Sequence, residues 1–213
     1  MYVPAQFEQR DLAEMHKMMR AHPLATWIVR DEQEMIVNHV PFLLDATQGE
    51  FGTLRGHVAR ANPVWQRAGS GESKVIFHGP QSYISPGWYP SKRETGRVVP
   101  TWNYIVVHAD GMARAIDDRM SLLEHVSQLS DTHESHRAEP WHVSDAPADY
   151  IDRLLNNIVG IEIPIRALHG KWKISQHRPL HETAAVIDAL RKSQSNAMAD
   201  VMQMALDGAR SRS

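Results

Sequence analysis

The apolar positions of the chain change rhythm several times. Leu12, Met15, Met18 and Met19 recur at helical spacing, and Asp11 with Glu14 forms the D-x-x-E pattern of a capping box. A helix is therefore predicted over 11–21, ended by Pro23. Runs rich in β-branched and aromatic residues predict strands over 24–30, 34–45, 51–59 and 74–79. The polar DEQE at 31–34 reads as a hairpin turn, and Thr47-Gln48-Gly49 as another turn. Asn62-Pro63 reads as the N-cap and first residue of a short helix that Gly69-Ser70-Gly71 stops. Residues 80–100 are dense in Pro and Gly yet hold Tyr83, Trp88 and Tyr89, the mark of a folded functional loop.

Beyond that loop, 101–116 predicts a hairpin with Ala109-Asp110-Gly111 at its turn. A helix over 118–130, the polar connection THESHRAEP and a short helix within APADYIDRLLNNI follow. GIEIPIRALHGKWKIS predicts a last strand or hairpin turning at Gly170. The tail over 181–207 is helical, with a break expected at 193–196. Hairpin-linked strands without a βαβ rhythm argue for an α+β fold, a small, mostly antiparallel barrel with peripheral helices.

Composition narrows the chemistry more than the fold. The 213 residues carry no cysteine, which excludes disulfides, thiolate catalysis and Cys-ligated metals. A net charge of −2 provides no general field for nucleic acid or an anionic membrane. No signal-peptide pattern and no apolar run near the roughly 18 residues of a membrane helix are apparent, so a cytoplasmic protein without membrane contact is expected. Thirteen histidines invite a metal reading, but His133 with His136 and His177 with His181 match no recognised ligand frame. Solvated histidines on polar connections are the simpler reading, and no metal site is expected. The elbow of serine hydrolases and the glycine-rich nucleotide loops are also missing.

Three constellations remain. In GHVARANPVW, His57 and Arg60 precede the helix start at Asn62, where a charged donor pair and free N–H groups would suit a phosphate. A surface arginine and a core histidine at an ordinary turn is the competing reading. In NHVPF, Asn38 and His39 put one polar side chain on the inner face of an apolar strand, where it needs a partner. That partner is either a backbone group or the polar edge of a planar cofactor. In YISPGWY and VPTWNY, five aromatics and Asn103 fall within residues 83–104. They suit a flat cofactor, a core or a dimer seam. The basic residues cluster at Lys92, Arg93 and Arg97 and again at Arg191, Lys192, Arg210 and Arg212, and neither cluster is a groove-reading motif.

Taken in order, MYVPAQF, NHVPF, GHVARANPVW, IFHGPQSYISPGWY, VPTWNY with VHADG, and KWKISQHR resemble the PaiB proteins, described as FMN-binding negative transcriptional regulators. The resemblance runs to about residue 192. It departs at His177, where many members carry Asn. It implies an FMN-binding split β-barrel, Greek-key-like and related to the pyridoxamine-phosphate-oxidase group, over 1–192, with 193–213 as a helical tail. It also implies a homodimer with FMN at the interface. The expected cofactor-binding residues are His57, Arg60, Asn62, Asn38, His39, Trp88, Lys92, Thr101, Trp102 and Asn103, with catalytic residues unassigned. The expected role is a negative transcriptional regulator whose DNA contact is weak or indirect. The alternatives are a flavin-dependent oxidoreductase and, less favoured, a haem-binding split barrel.

Overall fold

The computed structural model describes residues 1–30 and 34–211. The expected turn at 31–34 falls largely on residues outside that set, as does Arg212. The elements run, in chain order, β1 (Glu8–Gln9), α1 (Leu12–Ala21), β2 (Leu24–Arg30), β3 (Met35–Pro41), β4 (Leu43–Asp45), β5 (Thr53–Ala59) and β6 (Glu72–Ile84). They continue with α2 (Ser91–Glu94), β7 (Thr101–Gly111), β8 (Arg114–Ile116), α3 (Arg119–Glu134), α4 (Ala148–Leu155), β9 (Ile158–Lys173), α5 (Leu180–Lys192) and α6 (Asn196–Arg210). The sheet order is β3-β2-β6-β7-β9-β5-β4, and β1 and β8 also pair with β9. The registers of β1–β9, β2–β3, β2–β6, β4–β5, β5–β9 and β8–β9 are all antiparallel. The fold is α+β, as the hydropathy rhythm predicts.

Local chemistry explains most of these boundaries. Asp11 Oδ1 accepts from the backbone N–H of Ala13 and of Glu14, so α1 starts where the capping pattern places it. Asp118 caps α3 by accepting from Ser121 N. Asn62 does cap a helical turn, accepting from Val64 N, but Pro63–Arg67 is a five-residue 3₁₀ turn. So short a turn has little macrodipole to offer an anion.

Two glycines correct the sequence reading. Gly111 and Gly170 were expected at hairpin turns, yet Gly111 is the last residue of β7 and Gly170 lies inside β9. A Cβ on Gly111 would stand 2.5 Å from the Pro164 carbonyl oxygen, and one on Gly170 would stand 2.8 Å from Met15 Sδ. Both positions need glycine because neighbouring atoms crowd the backbone, with no reversal of the chain. Likewise β8 pairs with β9 and forms no hairpin with β7. The expected loop over 80–100 is shorter than predicted, because β6 continues to Ile84 and 3₁₀ and α turns follow.

The chain divides into two compact units. The first comprises Met1–Met15, His78–Val107 and His169–Ser213, the second His16–Phe77 and His108–Leu168. In the second unit Trp27 and Phe42 meet edge to face, Trp27 Nε1 donates to Ser73 Oγ, and Leu54, Val75, Ile161 and Ile163 are buried with them in the core. In the first unit the core is built from Met15, Ile84, Ile105, Val186, Leu190, Met198, Met202 and Leu206. Gly111→Ala is expected to destabilise the protein by about 1–3 kcal/mol, the usual cost of overpacking against an unyielding neighbour. Chemical denaturation reads this directly, and an unchanged midpoint would refute the crowding account.

Candidate functional site

The sequence-predicted residues separate into small groups that can be described within each unit. In the second unit, Asn38 and Asn62 come together, with Asn62 Nδ2 donating to Asn38 Oδ1 at 2.7 Å. Asn38 Nδ2 is buried and has no hydrogen-bond partner. An amide donor in that condition is costly unless something accepts from it. His39 is exposed on the opposite face of β3, its Nδ1 3.3 Å from Thr26 Oγ1.

Arg60 lies next to Asn62 but turns elsewhere. Its guanidinium grips both carboxylate oxygens of Asp117, and it also donates to the carbonyls of Asn156 at 2.8 Å and Ile158 at 3.0 Å. Four of its five N–H groups are thus engaged in holding the β5 exit to the starts of α3 and β9. Asp117 accordingly titrates below the usual carboxylate range, mainly through its hydrogen bond from Arg60.

His57 faces α3. Its Nδ1 shares a hydrogen bond with His125 Nε2 at 3.1 Å, and the rings meet edge to face. Burial lowers the pKa of His57, and burial, with help from His57 and Arg55, lowers that of His125 to about 4. Beside this pair, Glu162 of β9 lies opposite Arg55 of β5 and Arg114 of β8 in register, and ion-pairs with both. A cavity of about 730 Å³ in this unit is lined by Arg20, Phe42, Leu44, Asp45, Arg55 and Asp131, among others, and by none of the predicted residues.

In the first unit the strand alternation of β7 sorts Thr101, Trp102 and Asn103. Trp102 is 53% exposed and meets Tyr83 edge to face at 6.1 Å. Asn103 points into the core at 1% exposure, where its amide exchanges hydrogen bonds with Ser175 Oγ and reaches Met202 Sδ. Thr101 Oγ1 and the Trp102 carbonyl both accept from Lys173 Nζ. Lys171 sits over the rings of Tyr2 and Tyr104. Trp88 is half-buried in a 3₁₀ turn, and Lys92 is exposed on α2.

Lys171 and Lys173 were missed by the sequence reading. Their signal is the K-x-K spacing in KWK, which on a strand puts both ammonium groups on one side. Burial lowers the Lys173 pKa, and Lys171 nearby lowers it further, while Tyr104 opposes the shift. The resulting face combines two cations, a hydroxyl and exposed aromatic rings. It can hold an anion beside a flat ring.

Comparison with known proteins decides which flat anion is relevant. Residues 1–167 match the model of a family described as "Putative FMN-binding domain". The chain belongs to this FMN-binding family, that of the PaiB proteins. It is 34% identical over 212 residues to an uncharacterized protein of Emericella nidulans, covering 83% of this chain and 84% of that one. It is 29% identical to the protease synthase and sporulation protein PAI 2 of Bacillus subtilis, over 95% of this chain and 97% of the other. Among solved structures, the FAD and heme binding protein of Mycobacterium smegmatis superposes with a TM-score of 0.56 at 12% identity, over 78% of this chain and 73% of that one. The fold is the flavin-binding split barrel, and the cofactor is FMN. Both the orphaned amide of Asn38 and the Lys171–Lys173 face offer donors that fit such a group.

The His57–His125 pair has a measurable consequence. An unfolded imidazole titrates near 6.5, well above the value of about 4 that His125 has in the fold. On acidification the unfolded chain therefore takes up its proton first. The contribution of this pair to stability is complete above about pH 6.5 and is lost as pH falls toward 4. His125→Gln should flatten the dependence of denaturation midpoint on pH across that window. A variant with the parental slope would contradict the assignment.

Proposed function

We propose that FMN is received on the outer face of the first unit and that the protein represses transcription through its flavin state, without reading DNA itself. The observation that carries the flavin site is Lys173. Its ammonium is held by Thr101 Oγ1 and the Trp102 carbonyl, beside the exposed rings of Trp102 and Tyr83. Two neutral acceptors do not neutralise an ammonium whose pKa burial already depresses, and a phosphate would do so. Lys171 reinforces the positive potential, and Trp102 and Tyr83 offer ring contact.

The same exposed rings are the surface on which a second copy would sit, giving a homodimer whose partner covers the flavin. Large apolar rings standing this open mark an interaction site. Light scattering should return about twice the 24.1 kDa chain mass, and a monomer that binds FMN would refute the dimer.

Indirect repression is supported by the helix pair α5 and α6. A three-residue connection joins them, a spacing that helix-turn-helix readers also use. Yet α6 exposes Asp200 and Asp207, with Arg191 and Arg210 facing those carboxylates. Arginines already paired in this way have little net charge left to attract phosphate. PAI 2 of Bacillus subtilis, named for protease synthesis and sporulation, is similar along almost the whole chain and supports a regulatory role.

Lys173→Gln should weaken FMN about ten-fold, the equivalent of one charge-assisted hydrogen bond, while leaving riboflavin nearly unchanged. Equal affinity of the parental protein for FMN and riboflavin would defeat the phosphate assignment. Sequence-specific readers typically bind at about 10⁻⁸–10⁻¹¹ M. A dissociation constant in that range for a promoter fragment would overturn indirect repression. Steady oxidation of reduced nicotinamide by the holoprotein would instead establish an oxidoreductase, and a Soret band a haem protein.

A further inference from the structure

The C-terminal helix α6 buries Met198, Ala199, Met202 and Leu206, so it is an integral part of the first unit. One of its contacts is polar. Met202 Sδ lies 3.4 Å from Asn103 Nδ2, the same amide that donates to Ser175 Oγ at 3.0 Å. Ser175 Oγ in turn lies 3.1 Å from Asn103 Oδ1. Asn103 and Ser175 are 1% and 3% exposed, so this closed set of contacts has no solvent to replace it.

Ser175 has φ 63°, the left-handed region that non-glycine residues seldom occupy. Such a conformation persists only where the surroundings hold it. Here Arg178 N donates to the Ser175 carbonyl at 3.0 Å, Asn103 fixes the Ser175 hydroxyl, and Met202 engages the remaining amide hydrogen of Asn103. The neighbouring turn is fixed separately, with Gln176 Nε2 donating to the carbonyls of Trp172 and Gln6 and Gln176 Oε1 accepting from Ile174 N.

The consequence lies two residues upstream. Ser175 sets the exit of β9 immediately after Lys173, and Asn103 follows Thr101 and Trp102, the two residues that hold the Lys173 ammonium. Asn103 therefore links both halves of the Lys173 cradle from behind. We infer that Asn103, Ser175 and Met202 form a positioning clamp through which α6 sets the flavin-phosphate preference of the Lys173 face. None of the three touches the ligand. This inference rests on the reading of Lys173 as the phosphate donor.

The test titrates FMN and riboflavin against the full-length protein and four variants, with thermal melts alongside. Ser175→Ala keeps a side chain in the left-handed region but removes the hydroxyl. Ser175→Gly removes the hydroxyl and relieves the backbone. Met202→Leu removes the sulfur acceptor while keeping an apolar side chain of similar volume, and Lys173→Gln removes the donor itself. The expected result is that Ser175→Ala reduces the FMN-over-riboflavin preference by about five- to ten-fold, in the range of a displaced charge-assisted bond. Ser175→Gly should reduce it less, and Met202→Leu two- to three-fold, all at temperatures where each variant is folded. A merely structural role lowers the melting temperature and weakens both ligands equally, leaving the preference intact. If Lys173→Gln abolishes the preference while Ser175→Ala and Met202→Leu keep it, the clamp is overturned and the phosphate reading stands. If Lys173→Gln changes nothing, the phosphate reading fails, and the clamp's function fails with it.

Discussion

Strand β9 must satisfy its backbone along sixteen residues, and that requirement shapes much of what surrounds it. It pairs with β5 over Ile158–Pro164, with β8 over Gly160–Glu162 and with β1 at Gly170 and Lys171. Because strand side chains alternate, the same extended run delivers Glu162 to Arg55 and Arg114 and Lys173 to Thr101 and Trp102. A turn at Gly170 would have ended the ladder before Lys171 and Lys173. Uninterrupted pairing also explains why glycine recurs along it. Gly160 lies against Ile116 and Leu122, and Gly170 against Met15 and Gln9.

Two buried polar groups show how different environments separate similar residue types. Glu162 is nearly buried, yet two guanidiniums compensate its charge. Removing both arginines would leave a carboxylate in a medium that penalises it. His125 has no such cation–anion partner. It stays neutral, shares one hydrogen bond with His57 and leaves Nδ1 without a partner. Opposite charges thus accompany the buried Glu162 of β9, whereas burial without such a partner keeps His125 of α3 neutral.

Much of the fold was legible in the sequence, for identifiable reasons. The strand over 24–30 carries a clean two-residue alternation, and Asp11 caps α1 with the side chain that its type suggests. The break in the tail falls at Ser193–Ser195, where Gln194 has φ 62°. The glycines misled because crowding and reversal call for the same residue. Reading the site ran out for another reason. A sequence shows that Arg60 and His57 can donate, but not that Asp117, distant in the chain, and His125 on α3 already occupy them. Asn103 stood out as a polar residue among aromatics, but its orientation depends on the pleat of β7. Lys171 and Lys173 read as ordinary strand-end cations until Thr101 and Trp102 are seen to face them.

The contrast between Arg60 and Lys173 bears on how the ligand is bound. Arg60 has a planar fork that matches a carboxylate bidentately, and Asp117 uses it in that way. Such a pair is self-sufficient, and an incoming phosphate would have to displace Asp117 to use it. Lys173 is a compact cation with neutral acceptors at Thr101 and Trp102, so its charge remains uncompensated within its cradle. On the proposed reading, an anion arriving there would meet an ammonium already partly desolvated and already aimed. Preorganisation of this kind removes part of the ordering and desolvation cost that otherwise weakens binding. The cost falls on folding instead, on the left-handed Ser175 and on the helix that keeps Asn103 in place.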